Sequence, residues 1–510
     1  MTRKPFGVSR FRRAFVHFLG GRALQASARA VLIFILIRVL DAADYGAYMV
    51  LVGMSEMLLE IVSFGLLPVA QRFVPQLLID LPLRKFTRFV VTLLSLQITL
   101  LLVVASLFWT FWDDFTPLLG FSQAQVEASR LAILLLILVP TFRFSVELLE
   151  GHLEQGKAQI SRALMPTGRA LVIISVLLLG LDVDLRRILW IDIGITGGCV
   201  LLSWYLLLGS MRSLHNPDAD GELPLKEMLR FGWHMAPVGM MGATGSAGAL
   251  RMVLASTLGV VESGLFAFLQ SLQRLVGRYL PGTLLRGIIR PVLLARAYAP
   301  GGMATVESGT SLLVKGNLGI VAAGCIVVAI GGNDLVAWLS GGKFLESGTT
   351  LLLMFLALAT ISQRSIIAMV LQITGHTAVL RMTAAISPIA LALVWMNAER
   401  GLNTAIVILA IGSIISNFVA IRNLINATGQ FTPDWRGILY IFGAAGIAIP
   451  VGILLKMQFT ATLAVILSIT IYAIILRVLR PFNGDELQLV ERALGPRIAN
   501  IMKIGTRQDA

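Results

Sequence analysis

Apolar stretches of about 20 residues recur along the whole chain and alternate with short polar segments. A helix of this length crosses the hydrocarbon core of a bilayer. The pattern therefore predicts an all-α polytopic membrane protein with about fourteen transmembrane helices. The predicted spans are 20–40, 46–66, 89–111, 128–149, 162–181, 188–209, 231–256, 263–283, 311–331, 349–371, 378–397, 402–424, 437–456 and 459–479.

Composition supports the same class and excludes others. The chain has 510 residues, 56% hydrophobic and 14% charged, whereas soluble domains are about 25% charged. The net charge of +14 does not indicate nucleic-acid binding, because the basic residues lie between apolar spans, where membrane topology places them. The sequence has no metal-ligand spacing, Gly-rich phosphate loop or nucleophile elbow. We therefore expect no enzymatic activity, no catalytic residues, no metal and no cofactor.

The distribution of Lys and Arg predicts the orientation of the chain in the membrane. If both termini are cytoplasmic, most of the 42 Lys and Arg residues fall in cytoplasmic segments. The acidic loop with Asp41 and Asp44 then falls outside. Arg186 and Arg187 are exceptions, and neighbouring aspartates balance them. By the positive-inside rule this asymmetry predicts a multi-pass protein with both termini in the cytoplasm.

Short matches at a constant spacing indicate an internal duplication. Residues 44–48 (DYGAY) match residues 262–266 (ESGLF), 218 positions further on, and the same spacing superposes Arg72 on Arg290. We predict two pseudo-symmetric six-helix lobes in the same orientation, followed by two further helices. The predicted segments are a cytoplasmic basic tail (1–19), an N-lobe with helices 1–6 (20–210), a cytoplasmic linker (211–230), a C-lobe with helices 7–12 (231–426), helices 13–14 (427–480) and a cytoplasmic tail (481–510).

Charged residues in the middle of predicted spans are the main functional candidates. A charge at bilayer depth costs a few kcal/mol on insertion scales, so it normally lines a wet cavity or pairs with another charge. Arginines outnumber acids here, which favours a cavity that accepts an anion. The alternative is that these groups only pair with one another to hold helices together. The residues are Arg29, Glu56, Glu60, Arg251, Arg274 and Arg278, with the further deep arginines Arg169 and Arg364.

Two pairs of these residues are four positions apart and therefore share a helix face. Arg274 and Arg278 repel each other unless an anion or acids intervene, and guanidinium groups bind phosphates bidentately. Arg29 is a third candidate for the same anion. Glu56 and Glu60 either pair with these arginines or carry a coupling proton, and both alternatives stay open.

Charged residues nearer the span ends are expected to lie at the membrane interface or to pair locally. Arg38, Arg130, Asp192 and Lys315 are expected at the interface, and Arg143, Glu147 and Glu150 are expected to pair at the end of span four. Span seven has a small-residue face that favours close helix packing and also permits bending. This face consists of Gly239, Gly242, Gly245 and Gly248.

Several stretches resemble a known family. Residues 38–48, 64–66 (FGL) and 71–75 (QRFVP) resemble the first hairpin of bacterial polysaccharide flippases. Residues 338–344 (WLSGGKF) and 371–376 (LQITGH) resemble the second half of the same family. The family is the polysaccharide transporter, or O-antigen flippase, branch of the multidrug/oligosaccharidyl-lipid/polysaccharide exporter superfamily. Span seven departs from the family pattern, because it lacks the usual proline-leucine opening.

The resemblance covers roughly residues 15–425 and implies two six-helix lobes around a cavity lined chiefly by spans one, two, seven and eight. It implies a flippase in the bacterial inner membrane that moves undecaprenyl-pyrophosphate-linked saccharide units by alternating access. Such units serve the biosynthesis of cell-surface polysaccharide, either lipopolysaccharide or exopolysaccharide. The implied partners are the anionic lipid-linked oligosaccharide and membrane lipids, with glycan polymerase and chain-length proteins as further candidates.

Two other functions are alternatives at this point. An ion-coupled multidrug exporter of the same superfamily carries cationic or apolar cargo, so acids rather than arginines would dominate its cavity. A membrane glycan polymerase or ligase requires a large external loop with catalytic residues, and the predicted external loops are short.

Overall fold

The computed structural model describes residues 25–152, 154–213, 221–284, 302–376, 378–428, 433–494 and 506–507. Nearly all of these residues are helical, apart from connecting turns and a two-residue parallel pairing of 482–483 with 506–507. The predicted all-α polytopic class is therefore confirmed. The predicted tail at 1–19 and Arg290 lie outside the described residues.

Eleven helices in the described part of the chain are long and apolar enough to cross a membrane. They confirm a multi-pass membrane protein. Predicted spans one, seven and eight are not among these helices. The first is described only from residue 25, and the seventh is divided into two helices. The eighth carries Glu262, Arg274 and Arg278, which lower its hydropathy.

The chain forms two compact units, Met1–Phe268 (unit 1) and Leu269–Ala510 (unit 2). The predicted boundary between lobes, near residue 210, does not coincide with this division, and the lobes remain a prediction. The helices of unit 1 are α1 (25–39, as described), α2 (Ala42–Val62), α3 (Leu66–Asp80), α4 (Leu83–Leu118), α5 (Gln123–Ser129), α6 (Ala132–Gly151), α7 (Gln155–Leu178), α8 (Leu185–Ser213), α9 (Leu225–Thr244) and α10 (Ala247–Leu258).

Helices α2 and α6 form the centre of unit 1. In each of these helices, 72% of the most apolar 18-residue stretch is buried, whereas in α4 the buried share is 28%. The outer face of α4 carries exposed Leu102, Val103 and Leu107. An exposed apolar face of this kind is expected where a helix meets lipid. At one end of the unit, α3, α4, α6 and α8 enclose a hydrophobic cluster that includes Phe73 and Phe144.

Glycines allow α2 to lie unusually close to α9 and α10. A Cβ atom added at Gly53 would lie 3.0 Å from the Cα of Gly248, and one added at Gly248 would overlap the carbonyl oxygen of Gly53. At the end of α2, Gly65 has a φ of +85°, and a side chain there would overlap the carbonyl of Gly232. Small residues at such positions permit backbone-to-backbone packing in membranes. The packing predicted for the glycine face of span seven is present at Gly248.

Span seven is also interrupted. Helix α9 ends at Thr244, and Ser246 begins α10 by accepting a hydrogen bond from the backbone N–H of Ala249. Serine is a favoured N-cap residue because its hydroxyl satisfies one of the free N–H groups of the first turn. Gly245 therefore lies at a break between the two helices, and bending of span seven stays a prediction.

Unit 2 begins within the helix α11 (Val260–Tyr279). Its central helices α13, α14 and α17 pack side by side, and α18 and α19 pack on each other and on α13. The helices that follow α11 are α12 (Pro281–Leu284), α13 (Gly302–Ser340), α14 (Gly348–Ile373), α15 (Ala378–Ala384), α16 (Ile386–Met396), α17 (Leu402–Thr428), α18 (Trp435–Lys456), α19 (Ala461–Leu479) and α20 (Gly484–Leu494).

Two residues expected at the membrane interface are instead buried. Asp192 is 1% exposed and Lys315 is 0% exposed, so the interfacial prediction is wrong for both. The reason is that each forms ion pairs with residues distant in sequence, which position along a span does not reveal.

The close packing of α2 against α10 leads to a prediction about stability. We expect Gly248→Ala to lower the free energy of unfolding by about 1–3 kcal/mol, the usual cost of overpacking. The measurement is thermal unfolding of the purified protein in detergent. Gly194→Ala in α8 is the control, because no atom lies within 4 Å of the added methyl group. Equal melting temperatures for the two variants would contradict the close approach.

Candidate functional site

Ionisable side chains of unit 1 form a polar region between α2, α6 and α7. Its first member is Glu56 on α2, whose carboxylate lies 2.8 Å from Nη2 of Arg143 on α6. The Glu56 side chain is 26% exposed and that of Arg143 is 41% exposed. The charge of the Glu56 carboxylate is therefore compensated by a residue of the same unit. An unpaired charge within a membrane-spanning helix would be costly. Sequence reasoning placed Arg143 among local pairs at a helix end and did not associate it with Glu56.

Glu60 lies one turn further along the same face of α2. Its carboxylate faces α9, where a Cβ added at Gly242 would lie 3.5 Å from Glu60 Oε2. The residue is exposed. Within the part of the chain that the structure describes, no hydrogen bond or ion pair reaches this carboxylate. The two glutamates, which share one helix face, therefore have different environments.

Arg162 connects its own helix, α7, to the end of α6. Its two terminal nitrogens lie 2.7 Å from Glu147 Oε1 and 2.6 Å from Glu150 Oε1. Gln71 on α3 donates a hydrogen bond to the other oxygen of Glu147. Glu147 and Glu150 form ion pairs at this helix end, as expected, but their partner is Arg162 and not Arg143. Arg162 itself was missed, because its separation from both acids along the chain follows no helical spacing.

Arg169 on α7 forms a buried ion pair. Its Nε lies 3.1 Å from Asp192 Oδ1 on α8, and its Nη2 donates to the Thr196 hydroxyl. The remaining oxygen of Asp192 accepts a hydrogen bond of 2.8 Å from the hydroxyl of Tyr48 on α2. The side chains of Arg169 and Asp192 are 11% and 2% exposed. The network therefore holds α2, α7 and α8 together.

Arg251 on α10 is buried against α2 and is 2% exposed. Its Nη1 donates to the carbonyl of Met49, and its own carbonyl accepts from the Ser263 hydroxyl. The Cδ of Arg251 packs next to Gly53, where an added Cβ would lie 3.4 Å away. In this structure the residue takes part in the packing between α2 and α10.

The other predicted arginines are more accessible. Arg29 on α1 is exposed, and so are Arg274 and Arg278 on α11. Arg364 on α14 is partly buried and donates to the carbonyl of Thr383. The structure thus separates the six candidate arginines into three exposed groups and three that contact the protein interior.

No cluster of three or more His, Cys, Asp or Glu residues that could hold a metal ion occurs among the described residues. The chemistry that this set of side chains offers is ionic. Exposed guanidinium groups bind anions, and an acid without an ion pair can exchange a proton.

Comparison with solved structures identifies the fold. The lipid II flippase MurJ, in an inward closed conformation, is similar to this chain with a TM-score of 0.61 and 15% sequence identity. The likeness covers 91% of this chain and 98% of that chain. This chain shares the fold of that flippase. At such low identity the likeness concerns the fold alone.

Two further structures show weaker likeness. A MATE protein in complex with MaD3S has a TM-score of 0.49 and 11% identity, covering 81% of this chain and 95% of that chain. A MOP superfamily transporter from Pyrococcus furiosus has a TM-score of 0.48 and 12% identity, covering 82% of this chain and 95% of that chain. No protein-family model and no curated protein sequence matches this chain.

The Arg169–Asp192 pair generates a stability prediction. We expect Asp192→Ala to lower the free energy of unfolding by roughly 3–5 kcal/mol, because it leaves a buried guanidinium without its acid. Thermal unfolding in detergent measures this change. Asp182→Ala, at an exposed loop position, is the matched control. If both variants melt at the wild-type temperature, the buried pair does not support the fold.

Proposed function

We propose that this protein is a flippase for undecaprenyl-pyrophosphate-linked saccharide units in the bacterial inner membrane, with both termini cytoplasmic. Its cargo would serve the synthesis of lipopolysaccharide or exopolysaccharide. The observation that carries the proposal is the pair of exposed arginines one turn apart on α11, in a chain that shares the fold of a lipid II flippase. The proposed role is transport and not catalysis.

The chemistry of the arginines fits a pyrophosphate. Arg274 and Arg278 lie on one face of α11, and each guanidinium offers a planar pair of donors that matches two phosphate oxygens. Arg29 is exposed on α1 and supplies a third group of the same kind. In this proposal Arg274 and Arg278 hold the anionic head group while the lipid tail stays in the bilayer, and Arg29 remains a candidate for the same anion.

The remaining predicted binding arginines have a different proposed role. Arg169 and Arg251 contact the interior of unit 1, through Asp192 and the carbonyl of Met49 respectively. Because their guanidinium groups are engaged there, we assign them to holding the helices of unit 1 together. Arg364 is intermediate, since it is only partly buried.

Membrane potential supplies a driving force for this transport. Moving a negative group outward across an inside-negative membrane is favoured by about 2.3 kcal/mol per charge per 100 mV. Glu60 is the candidate for an added proton coupling, because it lies within a span and has no ion pair in the described structure. Glu56 is the less suitable acid, since it is paired with Arg143.

A multidrug exporter of the same superfamily is less well supported. Its cationic or apolar cargo favours accessible acids, whereas the accessible charges on α1 and α11 include three arginines. Glycan polymerase and chain-length proteins are proposed as partners that would use the delivered saccharide.

The arginine pair generates the main functional prediction. In a strain lacking the protein, we expect Arg274→Ala/Arg278→Ala to reduce delivery of lipid-linked oligosaccharide to the outer leaflet by about tenfold or more. The reason is that hydrogen bonds to charged groups contribute roughly 1.5–3 kcal/mol each. The measurement is the leaflet distribution of extracted lipid-linked oligosaccharides, at equal protein abundance.

Two control variants accompany this experiment. Arg477→Ala removes an exposed arginine from the last turn of α19 and should leave delivery unchanged. Arg274→Lys/Arg278→Lys keeps the charge but loses bidentate geometry, so delivery should be intermediate. Normal delivery by the double alanine variant, with loss of drug resistance instead, would favour the multidrug exporter.

The two glutamates generate a second functional prediction. We expect Glu60→Gln to abolish the response of transport to an imposed proton gradient while transport driven by membrane potential persists. Glu56→Gln should instead lower the melting temperature, because it weakens the partner of Arg143. The measurement is transport by the purified protein in vesicles under each gradient separately.

Glu127→Gln is the control for this pair, since Glu127 is exposed on the short helix α5. A proton-gradient response that survives in Glu60→Gln would show that Glu60 does not carry the coupling proton.

A further inference from the structure

Unit 2 contains a fully buried lysine with two acidic partners. Lys315 on α13 is 0% exposed. Its Nζ lies 2.6 Å from Asp434 Oδ2, and 2.8 and 2.9 Å from the two carboxylate oxygens of Glu486. Burial of an ammonium group is costly unless it is paired and hydrogen-bonded, so these contacts account for its position.

The two acids lie at the starts of α18 and α20, near the end of the described chain. Asp434 is the N-cap of α18 and also accepts from the backbone N–H of Gly437. Glu486 lies in the first turn of α20 and also accepts from the backbone N–H of Asn483. One ammonium group therefore joins α13 to the start of α18 and to the C-terminal helix α20, which follows α19.

The surroundings of Lys315 leave little room for a different arrangement. A Cβ added at Gly437 would lie 2.6 Å from Cε of Lys315 and 2.5 Å from the carbonyl oxygen of Pro481. The ring of Phe482 lies 6.0 Å from the ammonium nitrogen. Backbone on both sides of the lysine stem therefore constrains it, and protein interiors at this density transmit displacements.

The same turn of α13 contacts the helix that follows the arginine pair. Asn317 Oδ1 accepts a hydrogen bond of 2.8 Å from the backbone N–H of Gly282. A Cβ added at Gly316 would lie 3.3 Å from the ring of Pro281. Pro281 and Gly282 begin α12, directly after α11, and Gly282 is four residues beyond Arg278. Residues 315–317 thus contact the C-terminal helix α20 and the start of α12, the helix that follows the arginine-bearing α11.

We propose that Lys315 and Glu486 are positioning residues, through which the C-terminal helix α20 fixes the end of α11 and hence the placement of Arg278. The proposal rests on the proposed function for its consequence, because Arg278 is a cargo-binding group there. The effect on the structure does not depend on the cargo, because loss of the Glu486 carboxylate should loosen the α12 segment even when no cargo is bound.

The first test measures the accessibility of α12 without any cargo. Thr283 is exposed next to Gly282, so Thr283→Cys is introduced together with Cys199→Ala and Cys325→Ala, which remove the two buried cysteines. We expect Glu486→Gln to raise the rate of maleimide labelling at position 283 by about tenfold, because a loosened segment exposes the thiol more often. Asp485→Asn is the matched control, because Asp485 is the exposed neighbour on the same helix.

The second test measures transport in reconstituted vesicles with a lipid-linked oligosaccharide as the probe. Glu486→Gln should raise the cargo concentration for half-maximal transport by about tenfold, with a smaller change in the maximal rate. Glu486→Asp keeps a carboxylate and should recover part of the effect. Lys315→Met provides an independent variant that removes the ammonium group and preserves an unbranched side chain.

The two tests separate failure of this inference from failure of the proposed function. Labelling at position 283 that matches Asp485→Asn in both Glu486→Gln and Lys315→Met overturns the positioning role. A change in labelling without any transport of the oligosaccharide by wild-type protein supports the positioning role and counts against the cargo assignment. If Glu486→Gln does not fold, the labelling of Lys315→Met alone decides the result.

Discussion

A charged side chain within an apolar helix must be compensated by another group, and much of this structure follows from that requirement. In unit 1, Arg169 compensates Asp192 and Arg143 compensates Glu56. Each pair joins different helices, so the compensation also determines which helices are neighbours. In unit 2 the same requirement brings the last helices of the described chain to Lys315.

The candidate arginines also differ in how exposed they are. Those that contact the interior of unit 1 have protein partners, and their substitution is expected to act through stability. Arg274 and Arg278 are exposed on α11 and repeat at one helical turn. The proposed transport of an anion requires accessible cations on rigid helices, and an exposed pair on one helix face has that form.

Hydropathy predicted most of the fold correctly, because a span of apolar residues in lipid has few alternatives to a helix. The all-α class and the multi-pass architecture followed from it. The break in span seven was only partly visible: its glycines suggested bending, but the capping by Ser246 depends on the local backbone. The helix-end pairing of Glu147 and Glu150 was anticipated from their position, although their partner Arg162 was not.

The sequence by itself determined that the chain is a helical membrane protein and which charges lie within its spans, since hydrophobicity and helical periodicity are local properties. Only the tertiary structure decided which charges meet. Asp192 and Lys315 were assigned to the interface from their positions along the chain, and both are buried against partners far away in sequence. The separation of Glu56 from Glu60 has the same origin, because one turn of helix places the first beside Arg143 and the second beside the glycines of α9. Pairing energies depend on distance in space, and a single sequence contains no direct measure of that distance.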